Sequence, residues 1–142
     1  MNGTSHTKLH NPPELHKPFG YSHVAEVTGG KLVYIAGQVA LDAAGNQVGK
    51  DDFAAQTRQV FANLRAALAA AGASFHDVIK LNYYCADAVD LAAHLPAIRE
   101  IRDSYVNTAA PPASTLVVVS RLARPEFLIE VEAVAAVNPA GR

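Results

Sequence analysis

An α+β fold, one sheet with two helices packed on one of its faces, is what this sequence predicts. Three observations lead there. Strand-type and helix-periodic segments follow one another as β-β-α-β-α-β-β, without the strict alternation of a βαβ sheet. Two segments, and only two, repeat their apolar residues at helical spacing. The chain has 142 residues, half of them hydrophobic, which suits a single domain with a real core.

The elements follow in order. Residues 1–18 are polar, with Pro12, Pro13 and Pro18, and read as an extended arm ahead of one domain over 19–142. Segments 24–28 and 31–38 are short strand candidates around Gly29-Gly30, a hairpin-type turn pair. The second contains LVYIAG, β-branched and aromatic as a largely buried strand should be. DAAGNQVG, from Asp42 to Gly49, is a loop. Asp51 or Asp52 then caps a helix by accepting from its free amides. Phe53, Val60, Phe61, Leu64 and Leu68 recur along it, and Gly72 closes it. Segment 78–85 is a strand. Asp87 or Asp90 opens a second helix with Leu91, Leu95, Ile98, Ile101 and Tyr105 on one face, and Pro96 inside it should kink or reset it. Segments 116–120 and 127–137 are final strands around a turn at 123–126.

Composition excludes several classes of function. The formal net charge is −1, and the twelve Lys and Arg are scattered, so no basic run offers itself to a nucleic-acid backbone. No apolar run approaches the roughly 20 residues of a membrane span. The N-terminus has no apolar core of a signal peptide, and the single cysteine, Cys85, cannot form an internal disulfide. A cytoplasmic protein without membrane or nucleic-acid partners is the expectation. Charged residues make up 18%, below the usual quarter or so, which suggests apolar surface covered in an oligomer.

Three stretches carry a family resemblance: GYSHV from Gly20 to Val24, YIAGQV from Tyr34 to Val39, and LIEVEAVA from Leu128 to Ala135. In this order and spacing they resemble the Rid family, the reactive intermediate deaminases also called YjgF proteins. The resemblance runs over roughly 20–137. It implies the chorismate-mutase-like fold, a homotrimer with sites in clefts between subunits, and hydrolysis of small imines or enamines without a cofactor or metal. One feature departs from the pattern. Family deaminases hold the substrate carboxylate with an arginine just before the penultimate strand. Here PPASTLVVV, Pro111 to Val119, has none, and counting back from Arg121-Leu122 puts Ser114 in that place. The chain thus resembles a branch of the family that lacks this arginine.

The candidate site residues follow from strand alternation and from the resemblance. Glu130 and Glu132 are two apart in a strand, so they share a face, and two carboxylates there are costly unless solvated, paired or functional. By resemblance Glu130 is the base or water-positioner; the competing reading is an ion pair with Arg121 or Arg124. Ser114 and Thr115 supply hydroxyls or backbone donors near the substrate, or satisfy local backbone only. His23 falls where the family often places a tyrosine at the pocket mouth, and Tyr21 takes that place if the alignment slips by two. His23 can be acid, base or donor near neutral pH, or simply structural. Ala36 stands where relatives have serine, Gly37 allows close backbone approach, and Leu95 stands where relatives often have a polar residue. The aligned pocket is therefore more apolar at Ala36, Leu95 and Ser114.

Other signals carry less. His6, His10, His16 and His23 fit no metal-ligand spacing. Cys85 has no histidine or basic neighbour in sequence to make it a thiolate, and reads as a buried thiol. No Gly-rich phosphate loop, Ser-His-Asp arrangement or CxxC is present. The expected activity is a small-molecule hydrolase that attacks an electrophilic carbon with water, but not a typical 2-imino acid deaminase. The alternative is a non-catalytic binding or accessory trimer.

Overall fold

A computed structural model describes residues 6–138 of the chain. Helices α1 (Phe53–Ala70) and α2 (Leu91–Asp103) pack on a four-stranded mixed sheet made of β3 (Lys31–Gln38), β4 (Val78–Ala86), β5 (Ala113–Val119) and β6 (Ile129–Val137). The strand order is β3-β6-β4-β5, with β4 and β5 parallel and the other pairs antiparallel. The expected α+β architecture, with its helices on one face, is what forms.

Alternation explains the layering. Ile129, Val131, Ala133 and Ala135 of β6 face the helices and are buried, as are Leu81, Tyr83 and Cys85 of β4. Val60, Phe61, Leu64 and Leu68 of α1, at helical spacing, close the core from above, with Ile98 and Ile101 of α2 beside them. Asp52 caps α1 by accepting from the Ala55 amide at 3.0 Å, and Asp90, not Asp87, caps α2. Pro96 does not reset α2, which runs unbroken from Leu91 to Asp103. Proline at the sixth helical residue removes a single intrahelical bond, and the burial of Ile98 and Ile101 holds the helix together. Gln56 is buried in the core with every polar atom used. Its amide donates to the Gly49 and Glu126 carbonyls at 3.1 and 3.0 Å, and its oxygen accepts from the Leu128 amide at 2.9 Å. It therefore ties the start of α1 to the approach to β6.

The N-terminal half departs from the expectation. Residues 7–10, read as extended arm, form β1 (Thr7–His10), and β1 pairs antiparallel with β2 (Val24–Val27) in a separate two-stranded sheet. The expected hairpin of 24–28 with 31–38 does not form. Gly29 and Gly30 do turn the chain at positive φ, but β2 goes to β1 and β3 goes to β6. Charge supports that choice: Lys8 and His10 of β1 lie 3.8 and 2.7 Å from the Glu26 carboxylate of β2. The first five residues of the arm and the end of the chain after 138 lie outside the described residues. Strand β5 begins three residues earlier than expected, because pairing with β4 starts at Lys80↔Ala113. Cys85 is fully buried, and burial pushes its thiol up to about 11, which leaves little thiolate at neutral pH.

Leu64 is fully buried at the centre of this core. Leu64→Ala is expected to cost about 2–5 kcal/mol of stability, read as a lower urea midpoint with an unchanged slope. A loss under about 1 kcal/mol would mean that α1 does not seal the core as described.

Candidate functional site

The face of the sheet turned away from the helices carries the carboxylates. Register lines up two cross-strand rows there. In one, Glu130 of β6 lies opposite Tyr84 of β4, which lies opposite Val117 of β5. In the other, Glu132 lies opposite Asn82, which lies opposite Thr115. Glu132 is engaged through one oxygen: Oε1 accepts from the Tyr84 hydroxyl at 2.7 Å and from the Asn82 amide at 3.0 Å. That bond to Glu132 is the first cause holding the Tyr84 phenol above its ordinary value, with desolvation and the charges of both glutamates adding to it. Thr115 accepts from Lys80 Nζ at 2.9 Å.

Glu130 is different. Among the described residues it has no hydrogen-bond or ion-pair partner, so the pairing with Arg121 or Arg124 does not form. Arg121 lines a cavity of about 340 Å³ together with Tyr84, Glu130 and Glu132, while the Arg124 guanidinium lies over the Phe127 ring. Gly37 makes room for the carboxylate. The register of β3 on β6 shifts between Ile35 and Gln38, and a methyl group on Gly37 would overlap the Glu130 carboxylate. Ala36, beside it, is exposed. The strand thus presents one satisfied carboxylate and one free carboxylate over a glycine.

Other candidate residues lie on the opposite side of the sheet. Ser114 pairs in register with Leu81 and Leu116 with Tyr83, so both face α2. Tyr21, Leu95 and Ser114 line one cavity of about 280 Å³ there, with Arg99 and Arg102 of α2. Within a single chain the sheet therefore separates Glu130, Glu132, Gly37 and Thr115 from Tyr21, Leu95 and Ser114.

His23 belongs to a third cluster, formed with Asn11, His16 and Tyr21. Its backbone N–H donates to Asn11 Oδ1 at 2.7 Å, and its Nε2 lies 2.7 Å from the His16 carbonyl. A carbonyl only accepts, so His23 carries its proton on Nε2. His16 Nε2 lies 2.8 Å from the Tyr21 hydroxyl, and the His16, Tyr21 and His23 rings meet edge to face. Sequence reasoning missed Asn82 and Tyr84, although NYY at 82–84 alternates with period two against the glutamates. It also missed Asn11 and Arg102, and it weighed His16 only as a metal ligand. Among the described residues no group of three or more His, Cys, Asp or Glu is placed to hold a metal ion, and no helix is long and apolar enough to cross a membrane.

Comparison with known proteins gives the family. The family model described as endoribonuclease L-PSP matches residues 14–137. A RutC family protein of Pyrococcus horikoshii is 40% identical over 120 residues, covering 84% of this chain and 89% of that protein. A 2-iminobutanoate/2-iminopropanoate deaminase of Mus musculus is 31% identical over 119 residues, covering 84% and 82%. Among solved structures, a protein of unknown function from the conserved Rid family of Yersinia pestis superposes with a TM-score of 0.81 at 38% identity, over 93% of this chain and 99% of that one.

The engagement of Tyr84 with Glu132 predicts a titration. A raised phenol value means that the neutral form is favoured in the fold. Its contribution to stability is therefore present below the ordinary value of 10.0 and is lost as pH rises through the higher folded value. Glu132→Gln weakens the bond that the neutral phenol donates and removes the negative charge beside it, and Tyr84 should then ionise at lower pH. Phenolate absorbance, with Tyr84→Phe identifying the signal, checks this; an unchanged titration in Glu132→Gln would contradict the assigned bond.

Proposed function

The chain belongs to the endoribonuclease L-PSP family, which includes the Rid proteins, and from that premise we propose that it hydrolyses small C=N compounds, imines or enamines, by water attack. The observation that carries this reading is the free Glu130 carboxylate held above Gly37, beside a neighbour that is already satisfied. Glu130 takes a proton from a water as its oxygen bonds to the imine carbon. Glu130 passes that proton to the nitrogen, a second proton moves from the new hydroxyl to the amine, the carbon–nitrogen bond breaks, and the products are a carbonyl compound and ammonia. No redox step occurs, and no cofactor is needed. Tyr21 and Ser114 bring hydroxyls to the helix-side half, while Thr115 lies on the carboxylate face and His23, bonded to the His16 carbonyl, positions the His16–Tyr21 pair.

A single chain divides these groups between two faces, so the proposal includes assembly. We place the carboxylate face of one copy against the β5 edge of a neighbour in a homotrimer. Tyr34 and Leu32 support it: they are 75% and 52% exposed on the same sheet face as Glu130, with Val117 across from them. The same face speaks against a nucleic-acid substrate, since two carboxylates repel a phosphate backbone.

Ser114 sets the substrate limit. A charge-assisted bidentate bond contributes about 1.5–3 kcal/mol, and one neutral hydroxyl cannot replace it. The chain is then an arginine-lacking member, and short acids such as 2-iminopropanoate, whose carboxylate adjoins the reacting carbon, are poor substrates. A second reading, a trimer that binds small molecules without turnover, is favoured by the loss of polar groups at Ala36, Leu95 and Ser114. Binding without ammonia release from any imine would decide for it.

Two outcomes are expected. Light scattering should give three times the 15.0 kDa chain mass, and a monomer at micromolar concentration would remove the assembled site. Glu130→Gln should cut ammonia release by about a hundredfold or more at an unchanged melting temperature, whereas Glu132→Gln serves as control. Full activity in Glu130→Gln would assign the base elsewhere.

A further inference from the structure

The cavity between α2 and β5 is more cationic than water attack from the carboxylate face requires. Arg99 and Arg102 are three residues apart on α2 and so share a face of the helix. Arg102 is 13% exposed, and its Nε and Nη2 donate to Asp103 Oδ1 at 2.9 and 2.8 Å. Its Nη1 has no partner among the described residues. The guanidinium lies against Gly20, whose φ is +73° and where a methyl group would overlap it. Arg99 is exposed and makes no ion pair among the described residues. Tyr83 lines the same cavity, and its hydroxyl is buried without a partner. Three donor groups thus line one cavity whose lining holds no carboxylate; its other polar side chains are the Tyr21 and Ser114 hydroxyls. A buried hydroxyl left unsatisfied is the exception in folded proteins and calls for an occupant. The apolar wall is built by Leu95, Ile98 and Leu116.

We propose that this cavity binds a carboxylate, with Arg99, Arg102 and the Tyr83 hydroxyl around the acid group and Leu95, Ile98 and Leu116 against its apolar body. Charge selects the ligand class. Two guanidinium groups against the one Asp103 carboxylate leave a single positive charge, which suits a monoanion better than a doubly charged phosphate. The inference deepens the hydrolase reading and rests on it only for what happens at the reacting carbon. The anchor moves from β5, where Ser114 stands, to α2. Acids long enough to reach the helix are therefore preferred over propanoate-sized ones.

Calorimetric titration of the assembled full chain tests this, with 4-methylpentanoate, its uncharged amide and propanoate as probes. The longer acid should bind about tenfold or more tightly than the amide and than propanoate. Arg102→Gln also removes the Asp103 pair, so Arg99→Gln, an exposed change with no partner to lose, is the deciding variant. It should abolish most of the acid-over-amide preference at an unchanged melting temperature, and Tyr83→Phe should reduce it. The proposal is overturned if the longer acid does not bind, if acid and amide bind alike, or if Arg99→Gln keeps the preference. Because the readout is binding, loss of the hydrolase reading leaves it standing. In turn, Glu130→Gln should stop ammonia release and keep the acid-over-amide preference, which separates the two.

Discussion

The alternation of β6 in the middle of the sheet is the constraint on which the rest depends. A strand paired on both sides, to β3 and β4, has no freedom to rotate its side chains. Ile129, Val131, Ala133 and Ala135 must enter the core, and burying them drives α1 onto the sheet. Glu130 and Glu132 are thereby forced onto the opposite face. A slip of one residue would bury both carboxylates and expose the core set, so the core and the candidate site are specified by the same register. The neighbours complete the division of roles. Asn82 and Tyr84, presented by β4 at the same period, satisfy Glu132, and the bulge at Gly37 in β3 leaves Glu130 unpaired.

Much of this was legible in the sequence because it is local. Helical spacing from Phe53 to Leu68 reported α1, and period-two patterning reported β6. The shared face of Glu130 and Glu132 followed from counting by two. What was not legible is long-range pairing. Gly29-Gly30 is a genuine turn, but no local rule shows that Val24–Val27 prefers a strand fifteen or so residues upstream to the one that follows it. Pro96 was overrated as a breaker because tertiary burial of Ile98 and Ile101 outweighs one missing bond. The partners of Glu132 and the meeting of Arg102 with Gly20 depend on register and packing, which no spacing rule encodes.

The separation of the candidate residues by the sheet gives the substitution at Ser114 its meaning. A strand arginine at that position would project toward α2, into the cavity that Arg99 and Arg102 already line. With Ser114 there, the positive charge lining that cavity comes from Arg99 and Arg102 of α2. The carboxylate face, by contrast, keeps its free acid and its glycine. The departures from the family pattern fall on both sides of the sheet. Leu95 and Ser114 lie on the helix side, and Ala36 lies beside Gly37 at the carboxylate face.

The central claim is that one site is assembled from the carboxylate face of one copy and the helix-side cavity of another. Mixed assembly tests it most directly. Glu130→Gln disables the first half, and Ser114→Tyr, which fills the cavity, disables the second. Each variant alone should release almost no ammonia from an imine that the unaltered protein hydrolyses. Unfolded together and refolded, they should regain activity, since about one interface in four then joins two intact halves. Mixed assemblies that form but stay inactive would contradict a shared site and place the chemistry within a single chain.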